Sequence, residues 1–176
     1  LEDESFAAYD SCLQWKDDNV AALNNYAYYI SLKGKELHKA EQMSFKTIKA
    51  EPKNGTYLDT YAWILFMEER YHEAKIYIDQ AIANLDSTQN NNTVIEHAGD
   101  IYAMNGLTEE ALKFWKQSYD AGNKSEGIMT KIKNKRYITE EEIKRMTGGS
   151  AVTPDRKSQS RSGAKKNNKL RNGKKK

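Results

Sequence analysis

The chain of 176 residues is 38% hydrophobic and 30% charged, with only two prolines, which excludes collagen-like and proline-rich classes. Its longest unbroken apolar run, residues 62–67, is six residues long, against the roughly 18–20 a bilayer-crossing helix needs. The net charge of +3 conceals a division: residues 1–122 carry 11 Lys/Arg and 20 Asp/Glu, whereas residues 123–176 carry 17 and 5. The first part is therefore at −9 and the second at +12. The chain opens at Leu1 with neither an initiator Met nor an apolar leader, which reads as a processed chain or a piece of a longer one. Either origin is compatible with a cytoplasmic or an envelope-associated address.

In chain order, residues 2–19 form a first amphipathic segment with Phe6, Tyr9 and Leu13 on one side. Residues 20–54 follow, with Leu23, Tyr26, Ala27, Ile30, Gly34 and Ala40, and Pro52 stops the segment. Residues 55–88 repeat the pattern with Leu58, Tyr61, Ala62, Leu65, Ala74, Ile78, Ala81 and a loop at Asp86. Residues 92–122 repeat it again with Ile95, Ala98, Gly99, Tyr102, Gly106, Ala111, Trp115 and Ser118. The small residues Ala40, Ala74 and Ala111, each opening an apolar stretch, are separated by 34 and 37 positions. Small residues at Ala27, Ala62 and Gly99, with Ile30, Leu65 and Tyr102 three positions later, mark places where two helices cross closely. The pattern is helix, tight turn, helix, three times in phase. In the second unit Ser44 stands where an aromatic residue is expected and the inter-helix loop is one residue longer, so Met43 and Phe45 are expected to repack that corner.

These residues and their spacing resemble the tetratricopeptide repeat, a 34-residue helix-turn-helix unit. The resemblance covers residues 2–122: a half repeat at 2–19, with Ser5, Tyr9 and Cys12 in its small and aromatic places, and repeats at 20–54, 55–88 and 92–122. It implies an all-α, right-handed solenoid. The runs 23–29 and 57–63 make the chain look like the carboxy-terminal end of a larger bacterial protein of this kind. A solenoid needs a cap at its last unit, and residues 125–146 are expected to supply one. Ser125 caps a helix running to about Tyr137, with Ile128, Met129 and Ile132 on one side and Lys131, Lys133 and Lys135 mostly on the other. Thr139 with Glu142 forms a capping-box pattern for a short helix carrying Ile143 and Met146. Residues 147–176 read as a disordered basic tail, since from Arg156 onward there are ten basic residues, no acidic one and no aromatic residue.

Little in the sequence points to chemistry. His38 and His72 are 34 positions apart because they occupy the same place in consecutive repeats, His97 belongs to another helix, and no metal is expected. Cys12 reads as a small buried hydrophobe. No phosphate loop, nucleophile elbow or Cys-x-x-Cys is present, and neither a catalytic residue nor a cofactor is expected. The acidic pairs Asp17-Asp18, Glu68-Glu69 and Glu109-Glu110 read as solvated turn residues.

What remains is surface. In the repeat family the first helix of each pair lines a concave groove that meets the ligand, and the resemblance places Asn24, Tyr28, Asp59, Trp63, Phe66, Glu96 and Asp100 there. The expected function is that of a non-enzymatic scaffold binding a peptide or protein segment with an apolar anchor and flanking Lys or Arg. Trp63 and Phe66 have a second reading, as packing between repeats. The family's carboxylate clamp for chaperone tails, which uses Lys, Asn and Arg, is not expected, because the corresponding places hold Asn24, Tyr28, Thr60, Thr93 and His97 and its cationic side chains are missing. The alternative function is polyanion binding, to nucleic acid or an anionic surface, through Arg156, Lys157, Arg161, Lys165, Lys166, Lys169, Arg171, Lys174, Lys175 and Lys176.

Overall fold

The structure, a computed structural model, describes residues 19–148. The half repeat at 2–19, apart from Asn19, and the tail from residue 149 onward lie outside the described residues. So do Cys12, Asp17, Asp18 and every basic residue of the polyanion reading. Among the described residues there are eight α-helices and no strand, and none of the helices is long and apolar enough to cross a membrane.

Helices α1 (Val20–Leu32) and α2 (Leu37–Ala50) form the first complete pair, α3 (Gly55–Met67) and α4 (Tyr71–Ala83) the second, and α5 (Asn92–Met104) and α6 (Thr108–Asp120) the third. Asn19 caps α1 by accepting from the Ala22 amide at 3.0 Å. Asn54 caps α3 by accepting from the amides of Thr56 and Tyr57. Each satisfies donors that the first turn of a helix leaves free. Pro52 follows the end of α2, as the sequence requires. Of the three loops within pairs the α1–α2 loop is the longest, and Gly34 supplies a left-handed backbone there (φ 61°). Glu109 and Glu110 are not loop residues. They occupy the first turn of α6, where a carboxylate complements the helix dipole.

The small residues predicted at helix crossings are all in place. Ala27, Ala40, Ala62, Ala74, Ala81, Ala98 and Ala111 have no exposed surface. Gly99 has a stricter reason to be small: a Cβ there would lie 2.3 Å from two ring atoms of Trp115. Gly55 is pressed against the end of α4, where a Cβ would stand 2.9 Å from the Asn84 carbonyl oxygen. Each unit buries its apolar face against the next: Ile64 of α3 joins Leu23, Tyr26, Ile30 and Met43 of the first pair. Val94, Ala98 and Ile101 of α5 join the core of the second pair. Between residues 57 and 66 every position of α3 is buried. At the Ser44 corner Met43 is buried as expected, but Phe45 faces outward at 41% exposure, with its ring 6.0 Å from that of Tyr61.

The cap is shorter than its sequence suggests. Helix α7 (Glu126–Asn134) begins at Ser125, whose hydroxyl accepts from the Ile128 amide, and stops before Tyr137 because Lys135 turns left-handed (φ 54°). Two side chains on it are reversed relative to expectation: Met129 is 44% exposed, while Lys131 is 5% exposed. The reason is chemical. Lys131 shares the inner face with Ile128, three residues away, and carboxylates of α5 draw it inward. Helix α8 (Glu140–Met146) starts at Thr139, whose hydroxyl accepts from the Glu142 amide. The Glu142 side chain pairs instead with Arg136.

Candidate binding face

Helices α1, α3 and α5 set the inner-face residues side by side, and Asp59, Trp63, Phe66, Glu96 and Asp100 form one continuous layer with His97. Trp63 stacks with His97 (ring centroids 4.0 Å apart, planes at 15°) and with Phe66 (4.8 Å, 15°). The His97 Nδ1 lies 3.0 Å from Asp59 Oδ1, joining α5 to α3. Tyr28 of α1 approaches the same imidazole at 6.1 Å. Burial, followed by the charges of Asp59, Glu96 and Glu140, pushes the Tyr28 phenol up to about 12. The phenol therefore meets a negative field from three helices.

Most of this layer is not open groove. Asn24, Asp59, Trp63, Phe66 and Asp100 are buried, and only Tyr28 and Glu96 are half-buried. Trp63 and Phe66 belong to the core cluster that joins the second and third pairs. Asn24 lies inside α1 with its Oδ1 unpartnered among the described residues.

The C-terminal segment covers the rest. The Lys131 Nζ donates to Asp100 Oδ2 at 2.7 Å and to Glu96 Oε1 at 2.8 Å. Asp100 also accepts from Trp115 Nε1 at 2.9 Å, and Glu96 from Asn123 Nδ2 at 2.7 Å. Beyond the turn at Lys135, Tyr137 meets Phe66 edge-on at 5.1 Å and Ile138 is 1% exposed. Burial raises the Asp100 carboxyl above its ordinary value against the opposing pull of Lys131. Burial alone would lower the Lys131 ammonium, yet the charges of Asp100 and Glu96 hold it above its ordinary value. For Glu96 the cost of burial is outweighed by Lys131, and its carboxyl falls below the ordinary range.

Between the repeats and this segment a cleft of about 450 Å³ remains. Tyr28, Leu32, Trp63 and His97 form one wall, Tyr137, Ile138 and Ile143 the other, and Glu96, Glu140, Lys131 and Lys144 supply charge. Of the residues named from sequence, Tyr28, Trp63, Glu96 and Asp100 line it, whereas Asn24, Asp59 and Phe66 do not. Lys131, Tyr137 and Glu140 were missed, and His97 entered as a clamp position without a cation. A signal for Lys131 existed: it interrupts the apolar stripe between Ile128 and Ile132, where a lysine needs a buried partner. Nothing local foretold Tyr137, since its place depends on the chain turning back across two repeats.

No protein-family model and no curated protein matches the sequence. Solved structures do. The first tetratricopeptide-repeat domain of human RPAP3 superposes with a TM-score of 0.58 at 14% identity, covering 74% of this chain and 96% of that one. The TPR2AB domain of yeast Sti1, solved as a complex with pHSP90, gives 0.52 at 19% identity, covering 78% of this chain. The match spans 51% of the Sti1 chain, about half its length. Helix pairing, crossing residues and these superpositions agree, and the chain has the tetratricopeptide-repeat fold.

Proposed function

We propose that the chain is a non-enzymatic interaction scaffold that takes a peptide or protein segment into the cleft between α1, α3, α5 and the C-terminal segment. The observation that carries this reading is the cleft itself: an aromatic and aliphatic lining with carboxylates of α5 and α8 at its edge. Such a surface favours an apolar anchor for affinity and flanking Lys or Arg for orientation. The partner differs in kind from a chaperone tail gripped by its terminal carboxylate. Of the places that correspond to that grip, Asn24, Thr60 and His97 are buried here and His97 is engaged by Asp59.

Selection of random peptides on the immobilised full chain tests the reading. The selected peptides should share an apolar residue next to Lys or Arg. Tyr28→Ala and Leu32→Lys should each weaken them while circular dichroism stays unchanged. Peptides retained equally by both folded variants would place binding elsewhere. Trp63→Ala is the wrong probe, since Trp63 is core and its loss would be read as a folding defect.

A second reading rests on the ten uncompensated basic residues of 156–176. Their charge would attract phosphate without specifying sequence. Replacing all ten with Gln should abolish retention on heparin at low salt. Unchanged retention would end this reading.

A further inference from the structure

The concave face already holds one ligand, and that ligand is part of the chain. Four attachments fix the C-terminal segment to the repeats: Ile128 buried among Ala111, Leu112 and Trp115, the Lys131 ammonium between Asp100 and Glu96, the Tyr137 ring on Phe66, and the buried Ile138. Beyond Ile138 the segment is loosely held. Helix α7 is nine residues long, α8 is seven and buries none of its own residues, and the 450 Å³ cleft lies between α8 and the repeats. Short helices with little buried surface belong to the part of a protein that opens first.

The ionic attachment is selective in a way an apolar one is not. If Lys131 withdrew with nothing in its place, the Asp100 carboxylate would lose its counter-charge and keep only the Trp115 indole as a donor. A second ammonium delivered to the same point restores both hydrogen bonds. Exchange is therefore cheap for a segment that brings a lysine and costly for one that does not. We infer that residues 125–146 are a displaceable internal occupant of the concave face. The partner segment that replaces them carries a lysine on a short helix, with an aromatic and a branched aliphatic side chain six and seven residues later. This deepens the proposed scaffold function and rests on it.

A fluorescein-labelled peptide of residues 125–146 serves as the probe, titrated onto the full chain. Tyr137→Ala weakens the internal copy without uncovering a charge, so this variant should bind the probe about tenfold more tightly than the wild-type chain. On that variant, a probe carrying Lys131→Ala should lose roughly thirtyfold in affinity. Amide exchange supplies a readout independent of binding: residues 126–146 should exchange faster than α5 and α6 in the wild-type chain, and faster still in Tyr137→Ala.

Probe affinity that ignores both substitutions overturns the inference, as does exchange of 126–146 in step with α5 and α6 in both chains. Dimers of Tyr137→Ala that exclude the probe would put a second copy, rather than a partner segment, on this face and would also overturn it. Selected peptides that still depend on Tyr28 and Leu32 while the probe fails would sink the displacement idea and leave the scaffold reading standing.

Discussion

The junction between α3 and α4 is closed by carbon alone: Leu58, Ala62 and Leu65 meet Ala74, Ile78 and Ala81, each at 2% exposure or less. The junction between α5 and α7 is closed around charge, with Lys131 set between two carboxylates and an indole N–H on the far side of Asp100. Both are buried, but they differ in what holds them. Apolar contact is non-directional and its strength follows the area removed from water. A buried ion pair repays most of its attraction in lost hydration and keeps geometry as its main contribution. The first junction is built for stability, the second for register.

The largest expected difference follows from that contrast. Leu65→Ala should lower the free energy of unfolding by about 2–5 kcal/mol, because it removes transfer energy and leaves a cavity in a helix buried on all sides. Urea unfolding would show a lower midpoint with an unchanged slope. A loss below 1 kcal/mol would mean the α3–α4 seam can collapse around the gap.

Lys131→Ala comes next, at about 3 kcal/mol, the low end for a broken buried pair, since Asp100 can take up a proton and Glu96 reaches water. The double variant Lys131→Met, Asp100→Asn should recover most of that loss. If the double variant is as unstable as the single one, the ion pair is worth more than an apolar contact there. The linkage also has a sign. Lys131 has a folded pKa above its ordinary 10.5, so its contribution is complete below 10.5 and is lost as pH climbs through the higher folded value. Glu96, depressed below 4.5, contributes stability above that value and loses it as pH falls. Asp100, raised above 3.8, has the opposite sense and gains as pH falls. The acid limb of the stability profile should therefore be blunt at this junction. The alkaline limb should release residues 126–146 first, which limited proteolysis with an alkali-stable protease would show as early cleavage in that segment.

The same two junctions separate what could be read in the sequence from what could not. The α3–α4 seam was legible because its rule is local: small and bulky residues recur at fixed spacing, so Ala62, Leu65, Ala74 and Ile78 could be named without coordinates. The concave face was legible as a set of positions but not as a surface. Trp63, Phe66 and Asp100 are buried, and neighbours far along the chain cover them. His97 stacks on Trp63 from 34 positions away, and Lys131 reaches Asp100 from 31. The repeat spacing sets adjacent units side by side but does not say which of their side chains pair. The amphipathic rule also turned Lys131 outward, because that rule treats charge as a signal for solvent and makes no provision for charge meeting charge.

Gly99 sharpens the comparison at smaller scale, since it stands in α5 next to Asp100 but obeys the apolar rule. Gly99→Ala should cost about 1–3 kcal/mol by overpacking against Trp115. The atoms it would strike are Cδ1, Nε1 and Cε2 of the indole, and a phenylalanine lacks the pyrrole ring that holds them. In a Trp115→Phe background the same substitution should therefore cost less, and the two changes should be non-additive. Additive costs would mean that the clash is relieved by a shift of α5 rather than borne by the ring.

The smallest expected effect contrasts two ion pairs of one segment. Arg136 and Glu142 pair in water, their side chains 51% and 35% exposed, while Lys131 and Asp100 pair at 7% and 3%. Exposed pairs trade one hydrated state for another, and salt screens what attraction is left. Arg136→Ala should leave the unfolding midpoint within the scatter of the measurement, and raising the salt to 0.5 M should make even the exchange rates of α8 in the two chains converge. The Lys131 substitution should keep its effect at the same salt, because the repeats exclude the ions that would screen it. Were Arg136→Ala to detach the segment as completely as Lys131→Ala, the turn at 135–138 rather than the buried ammonium would be holding residues 126–146 in place, and the charge at the second junction would be a consequence of docking instead of its register.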